Sequence, residues 1–185
     1  MPILQQVLKN YENILMPYEY ELTFKNSLGQ IGVIKIEFKK ENLKHLLGIH
    51  KIPPYDNNQR YSGNLVFNQI KNNTLKYSNL LTQSKSEEVT VRIIHFLELS
   101  YLFEENILKN IYLFDRTNFT GRTNIKAKYI LYLDKVCFSL NFGIALDMIK
   151  NYYYPETWFI NERDKDKYIK NQEKLDIISI KKIKK

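Results

Sequence analysis

At 185 residues, 44% hydrophobic and 14% aromatic, the chain carries enough apolar side chain to bury the core of one globular domain. No window reaches the roughly 18 uninterrupted apolar residues of a membrane span, and residues 1–9 lack the basic start, apolar run and small-residue cleavage site of a secretory signal, so a cytoplasmic protein with no membrane partner is expected. The net charge of +8 favours polyanions such as nucleic acid, although lysine also serves solubility, and the abundance of Lys, Asn, Ile, Tyr and Phe is what AT-rich coding sequence produces. Four of those charges sit in Lys181, Lys182, Lys184 and Lys185, which leaves only a modest bias elsewhere. Cys137 is the single cysteine, which excludes an internal disulfide and a thiolate zinc cage; its alternating apolar surroundings suggest a buried thiol.

Residues 2–15 place Ile3, Leu4, Val7, Leu8, Tyr11, Ile14 and Leu15 at helical spacing and predict an amphipathic helix ended by Pro17. Tyr20, Leu22 and Phe24 then alternate with polar residues, Asn26-Ser-Leu-Gly29 offers a turn, and Ile34, Ile36 and Phe38 alternate again, which predicts a β-hairpin. Residues 40–49 return to helical character, with Gly48 as the stop, and residues 53–58 read as a loop. A short helix is expected over residues 61–71.

Ser84 and Glu87 have capping-box spacing, and residues 89–103 behind them are apolar on nearly every side, so one long buried helix is expected there, interrupted only by Arg92 and His95. Beyond it the pattern turns to antiparallel sheet, with strands at 107–114 and 125–133, a turn at Asp134-Lys135, and an alternating strand over 136–142. Pro155 denies the aromatic stretch 152–159 a central ladder position. A charged helix or turn over 163–174, in a region where acidic and basic side chains cancel, precedes a strand at 175–180 and a frayed basic tail at 181–185. The fold class is α+β: an N-terminal helix and β-hairpin, a helical middle and a C-terminal antiparallel sheet, with residues 1–185 forming a single domain.

Several chemistries are excluded. There is no phosphate-cradling glycine loop, no His-Glu-x-x-His zinc helix and no Gly-x-Ser-x-Gly nucleophile elbow. His45 and His50 are spaced poorly for a shared metal, so neither a metal nor another cofactor is expected. What remains is metal-free acid/base work on RNA, in which the 2′-hydroxyl attacks the adjacent phosphate, helped by a base, an acid for the leaving oxygen and cations around the phosphorane. Histidine suits the base, because its pKa of about 6.5 leaves both protonation states available near neutrality.

The segment from Phe38 to Lys51, with its His45-Leu-Leu-Gly48 turn, together with Arg92-Ile-Ile-His95-Phe, Ile125-Lys-Ala-Lys-Tyr-Ile-Leu131, Tyr154-Pro-Glu-Thr-Trp-Phe159 and Tyr168-Ile-Lys-Asn-Gln172, resembles phage- and mobile-element-borne proteins of the barnase/EndoU/colicin/RelE-like nuclease class. The resemblance is spread over most of the chain, and none of its strings is specific alone. It implies a barnase/RelE-like nuclease-type domain and a metal-independent endoribonuclease acting as toxin, defence or counter-defence factor. It further implies His45 as catalytic acid or base, His50 as a second titrating group, Lys128 as a phosphate-facing cation and Thr157 as a hydroxyl donor near the phosphorane.

Arg60, Arg122, Lys126 and Trp158 complete the candidate set as RNA contacts. Each has a plain structural reading beside the functional one: His45 as a helix residue bonded to a carbonyl, His50 as a solvent-facing loop residue, Arg92 with His95 as a structural pair. Lys126 and Lys128, on one face of a strand, are either a phosphate platform or its wet side, and Tyr152, Tyr153, Tyr154 and Trp158 either stack bases or fill core. The alternative function is a non-catalytic RNA-binding or protein-interaction module, such as an antitoxin or regulatory partner; the nuclease itself would answer to an antitoxin or immunity protein.

Overall fold

The computed structural model describes residues 1–56, 60–83, 85–103, 108, 110–121, 123, 125–133, 136–144, 151–160 and 167–185. The chain is α+β and divides into two compact units that interleave along the sequence: residues 1–17 and 38–101 form a helical unit, and residues 18–37 and 102–185 a strand unit.

In the helical unit, α1 (Ile3–Asn10) continues as a wider π-helical turn over Tyr11–Leu15. Its buried stripe of Leu4, Val7, Leu8, Tyr11 and Leu15 follows the expected period. Tyr11 is fully enclosed between the edges of Phe38 and Phe96, and its hydroxyl donates to the Lys39 carbonyl at 2.8 Å, which satisfies its only polar atom. Next come α2 (Asn42–Leu46), stopped by Gly48 at φ +74°, and a single 3-10 turn over Ile49–Lys51. α3 (Gly63–Lys71) is capped by the Ser62 hydroxyl, which accepts from the Leu65 amide at 3.2 Å. Gly63 is obligatory there: an added Cβ would lie 2.2 Å from the Glu41 carbonyl oxygen, so α3 begins hard against the backbone that enters α2.

α4 (Tyr77–Leu81) and α5 (Ser86–Ile94) follow. The long helix expected over 89–103 is broken: α5 ends at His95, and α6 (Phe96–Tyr101) starts anew. His95 adopts φ −90°, ψ 8°, and its Nδ1 meets Glu98 Oε1 at 2.6 Å, so local polar pairing replaces a turn of helix. Nor is this segment buried all round, since Val91, Ile94 and Leu97 are exposed. Lys85, at φ +64°, takes the N-cap of α5 without a side-chain cap bond; Ser84, expected there, lies outside the described residues.

The strand unit holds β1 (Tyr18–Lys25), β2 (Ile31–Glu37), β3 (Asn110–Leu113), β4 (Tyr129–Leu133), β5 (Val136–Ile144), β6 (Asn151–Ile160) and β7 (Glu173–Lys184). They close into a barrel in the order β1-β2-β6-β5-β4-β3-β7. All neighbours are antiparallel except β2 and β6, which pair in parallel through Ile36 and Tyr153. The β1–β2 hairpin is the expected one, its turn tied by Asn26 Oδ1, which accepts from the Leu28 and Gln30 amides at 3.1 and 2.8 Å, with Gly29 at φ +81°.

Pro155 does sit within a strand, opposite Leu140 and next to a register slip between Ser139 and Leu140 at which Glu156 has no Cα partner in the β5–β6 ladder, so the proline stands beside a bulge. The expected basic tail is strand as far as Lys184: β7 pairs with β1 from Asp176 to Lys184, where Lys181 meets Glu21 across the ladder at 3.4 Å. The Asp134-Lys135 turn and the Cys137 side chain lie outside the described residues.

Candidate active site

The polar groups of the helical unit converge where α2, the turn after it and α5 meet. Gly48 makes this possible twice over: its left-handed conformation turns the chain after α2, and its missing Cβ leaves room for Arg92, whose Cδ would stand 3.1 Å from one. The turn brings His50 back onto His45, ring centroids 4.4 Å apart and planes tilted by 31°. Five residues apart across a helix end is poor metal spacing, and the structure uses it for stacking instead. Among the described residues no three His, Cys, Asp or Glu side chains come together as a metal site.

Behind the histidines lies Arg92, 3% exposed, whose Nη1 donates to the His45 carbonyl at 3.2 Å and whose Nη2 meets Glu88 Oε1 at 3.2 Å. Lys51 also pairs with Glu88. Burial alone would raise the Glu88 carboxyl, but Lys51 and Arg92 outweigh it and hold it below its usual range. Arg92 is itself lowered by burial, with Glu88 opposing. The structural pair expected between Arg92 and His95 does not form: Arg92 turns to Glu88, and His95 to Glu98. Lys44, the residue before His45, is buried at 7% exposure and donates from Nζ to the Tyr61 carbonyl at 2.6 Å; burial lowers its pKa.

The two imidazoles differ in consequence. His45 remains exposed at the surface, yet desolvation, then Lys44 and Arg92, hold it below its usual value. Its neutral, proton-accepting form therefore dominates at neutral pH. His50 is half-buried and pushed down to about 3, by desolvation first and then by His45, Arg92 and Lys51, against a backbone hydrogen bond with Lys44. Its buried Nδ1 has no partner among the described residues. Burial and the cations around it favour the neutral form of His50, which packs against the His45 ring as a wall.

Of the remaining expected residues, Lys128 and Thr157 belong to the strand unit. Lys126 and Lys128 do not share a strand face, because residues 125–128 precede β4; both are exposed, and Lys128 Nζ stands 5.7 Å from the centre of the Tyr129 ring. Thr157 is half-buried on β6. Trp158 is fully buried and is therefore barrel core, with no face left for a base. Tyr153 is buried as well and paired with Tyr129, ring centroids 5.3 Å apart, its hydroxyl pushed up to about 12 by burial and then by Tyr129. Arg60 is exposed beside Tyr61, and Arg122 lies outside the described residues.

Sequence reasoning missed Lys44, Lys51 and Glu88. The i, i+4 spacing of Glu88 and Arg92 was a readable signal for one of them; the other two are brought in by tertiary packing.

A family model described as phage-Barnase-EndoU-ColicinE5/D-RelE like nuclease4 matches residues 3–185, taking in both units. The chain belongs to that nuclease family. No curated protein and no solved structure matches it. Membership makes nucleic acid the substrate class of this nuclease, and no helix among its described residues is long and apolar enough to cross a membrane.

Proposed function

We propose that this nuclease is a metal-independent endoribonuclease of a phage or mobile element, a toxin, defence or counter-defence factor that cleaves RNA through attack of the substrate's own 2′-hydroxyl. The observation that supports this best is the exposed His45 stacked on a neutral His50 and backed by buried Arg92 and Lys44. In this reading His45 accepts the 2′-hydroxyl proton as that oxygen bonds to phosphorus, the P–O5′ bond breaks and the leaving 5′-oxygen takes a proton from water, while His50 and the Arg92 bond to the His45 carbonyl fix where the ring points. Lys128, as a phosphate-facing cation, and Thr157, as a hydroxyl donor, stay in the proposal as residues of the strand unit, each judged by its own variant.

The test incubates purified protein with labelled RNA in chelator. Wild type should give fragments ending in cyclic phosphate, and His45→Ala should lose roughly 10²- to 10⁴-fold in rate while remaining folded. A requirement for added metal would sink the mechanism, and equal cleavage of DNA would remove the 2′-hydroxyl from it. Salt-dependent RNA binding without fragments would favour a non-catalytic RNA-binding module. A stable complex with a co-expressed protein and no RNA binding would favour the antitoxin or regulatory-partner reading.

A further inference from the structure

Two half-buried tyrosines flank the histidine turn and take no part in the chemistry above. Tyr55 and Tyr61 meet with ring centroids 4.8 Å apart and planes at 62°. Both ends of the pair are fastened to the segment that carries His45 and His50. On one side the Lys51 amide donates to the Gly48 carbonyl at 2.9 Å and the Tyr55 amide to the Ile52 carbonyl at 2.8 Å, with Ile52 fully buried between, so Tyr55 follows His50 through two closed turns. On the other side Lys44 spends its buried ammonium on the carbonyl of Tyr61. Tyr61 then enters α3 through the Ser62 cap and the Gly63 contact with Glu41.

Burying a lysine is costly, and here it fixes one backbone carbonyl. That expense makes sense where the position of the aromatic pair matters. Rings with little freedom left to lose, beside exposed Arg60 and close in sequence to the histidines, are what a platform for unpaired bases requires: every base has a π-face, and stacking on aromatic side chains reads single strands whatever their sequence. In a duplex those faces are already taken.

We propose that Tyr55 and Tyr61 form a stacking subsite for unpaired nucleotides, which makes single-stranded RNA the substrate of the site around His45; this rests on the nuclease reading given above. The probe is a 2′-O-methyl RNA oligonucleotide carrying one 2-aminopurine, which binds but has no hydroxyl to react. Wild type should quench the 2-aminopurine and bind the single strand at least tenfold more tightly than the same sequence as a duplex. Tyr55→Ala and Tyr61→Ala should each weaken binding about tenfold, whereas Tyr55→Phe and Tyr61→Phe, which keep the ring, should stay near wild type. Circular dichroism checks that each variant is folded, and the Phe variants carry the test if an Ala variant is not.

Wild-type affinity in folded Ala variants, equal affinity for duplex, or Phe variants as weak as Ala variants would each overturn the subsite. Should wild type cleave RNA with a KM that both Ala variants leave unchanged, the subsite falls and the nuclease reading survives. Should wild type bind in this tyrosine-dependent way and cleave nothing, the subsite stands and the catalytic role of His45 falls.

Discussion

In the helical unit, Arg92 and Lys44 are enclosed at 3% and 7% exposure, and each donates to a backbone carbonyl, with Glu88 added for Arg92. In the strand unit, ion pairs such as Lys35 with Glu19 and Glu21 at 3.3 and 3.6 Å sit on more open side chains, and the large side chains buried there are apolar, aliphatic ones such as Leu22 and Ile36 beside aromatic ones such as Tyr20, Trp158 and Tyr153. The contrast shows which unit has a use for charge away from water. Enclosed cations cost desolvation and bring no general gain in stability, whereas exposed pairs are solvated and worth little either way. Charge retained in the costly position is charge that shapes its neighbours, and here the neighbours are two histidines.

The comparison can be broken at several points. The largest effect is on rate: His45→Ala should lower RNA cleavage roughly 10²- to 10⁴-fold, while Thr157→Ala and Lys128→Ala, assayed alongside, should lose less; the reverse order would move the chemistry into the strand unit. For the intact protein, the acid limb of the pH–rate profile should lie below the ordinary histidine value of about 6.5, because the lowered pKa of His45 keeps its base form to more acidic pH.

Arg92→Leu should cost about 1.5–3 kcal/mol in urea titration, since it removes a charged donor from the His45 carbonyl, which keeps the Gly48 amide at 3.0 Å. Gly63→Ala should cost about 1–3 kcal/mol, because the methyl must displace backbone.

Acid should act through His50. Its folded pKa of about 3 lies below the unfolded value near 6.5, so the unfolded state binds more protons between those limits and stability falls as pH falls through that window. A loss on the order of 1–2 kcal/mol is expected between pH 7 and pH 5, and His50→Gln should flatten it. At the small end, Lys35→Ala should change stability by about 0.5 kcal/mol or less. If it costs as much as Arg92→Leu, the contrast between the units is wrong.

Local pattern was legible and packing was not. The β1–β2 hairpin and the buried stripe of α1 could be read because period and turn chemistry are properties of neighbouring residues. The break at His95 was hidden because the apolar run continues on both sides of it, with no Gly or Pro to mark it. The strand pattern of 175–180 is legible, but the end of β7 from Lys181 reads as a tail because its lysines are solvent-loving; what makes them strand is the acidic Glu21 and the ladder on β1, far off in sequence. At the site, the residue types of His45 and Gly48 were visible, but the stacking of His50, the burial of Lys44 and the room Gly48 leaves for Arg92 exist only once α5 has packed. Trp158 looked like a base platform because composition cannot say which side of a barrel a residue takes.

The place of β1 in the barrel has a consequence for how the protein is made. β1 has β2 on one side, synthesised directly after it, and β7 on the other, synthesised last of the strands. Folding during translation can therefore form the hairpin early, but one edge of β1 stays open until residues 173–184 have left the ribosome. A nascent chain halted before that point carries a sticky strand edge and no closed barrel, so the slow, long-range step of folding waits for β7.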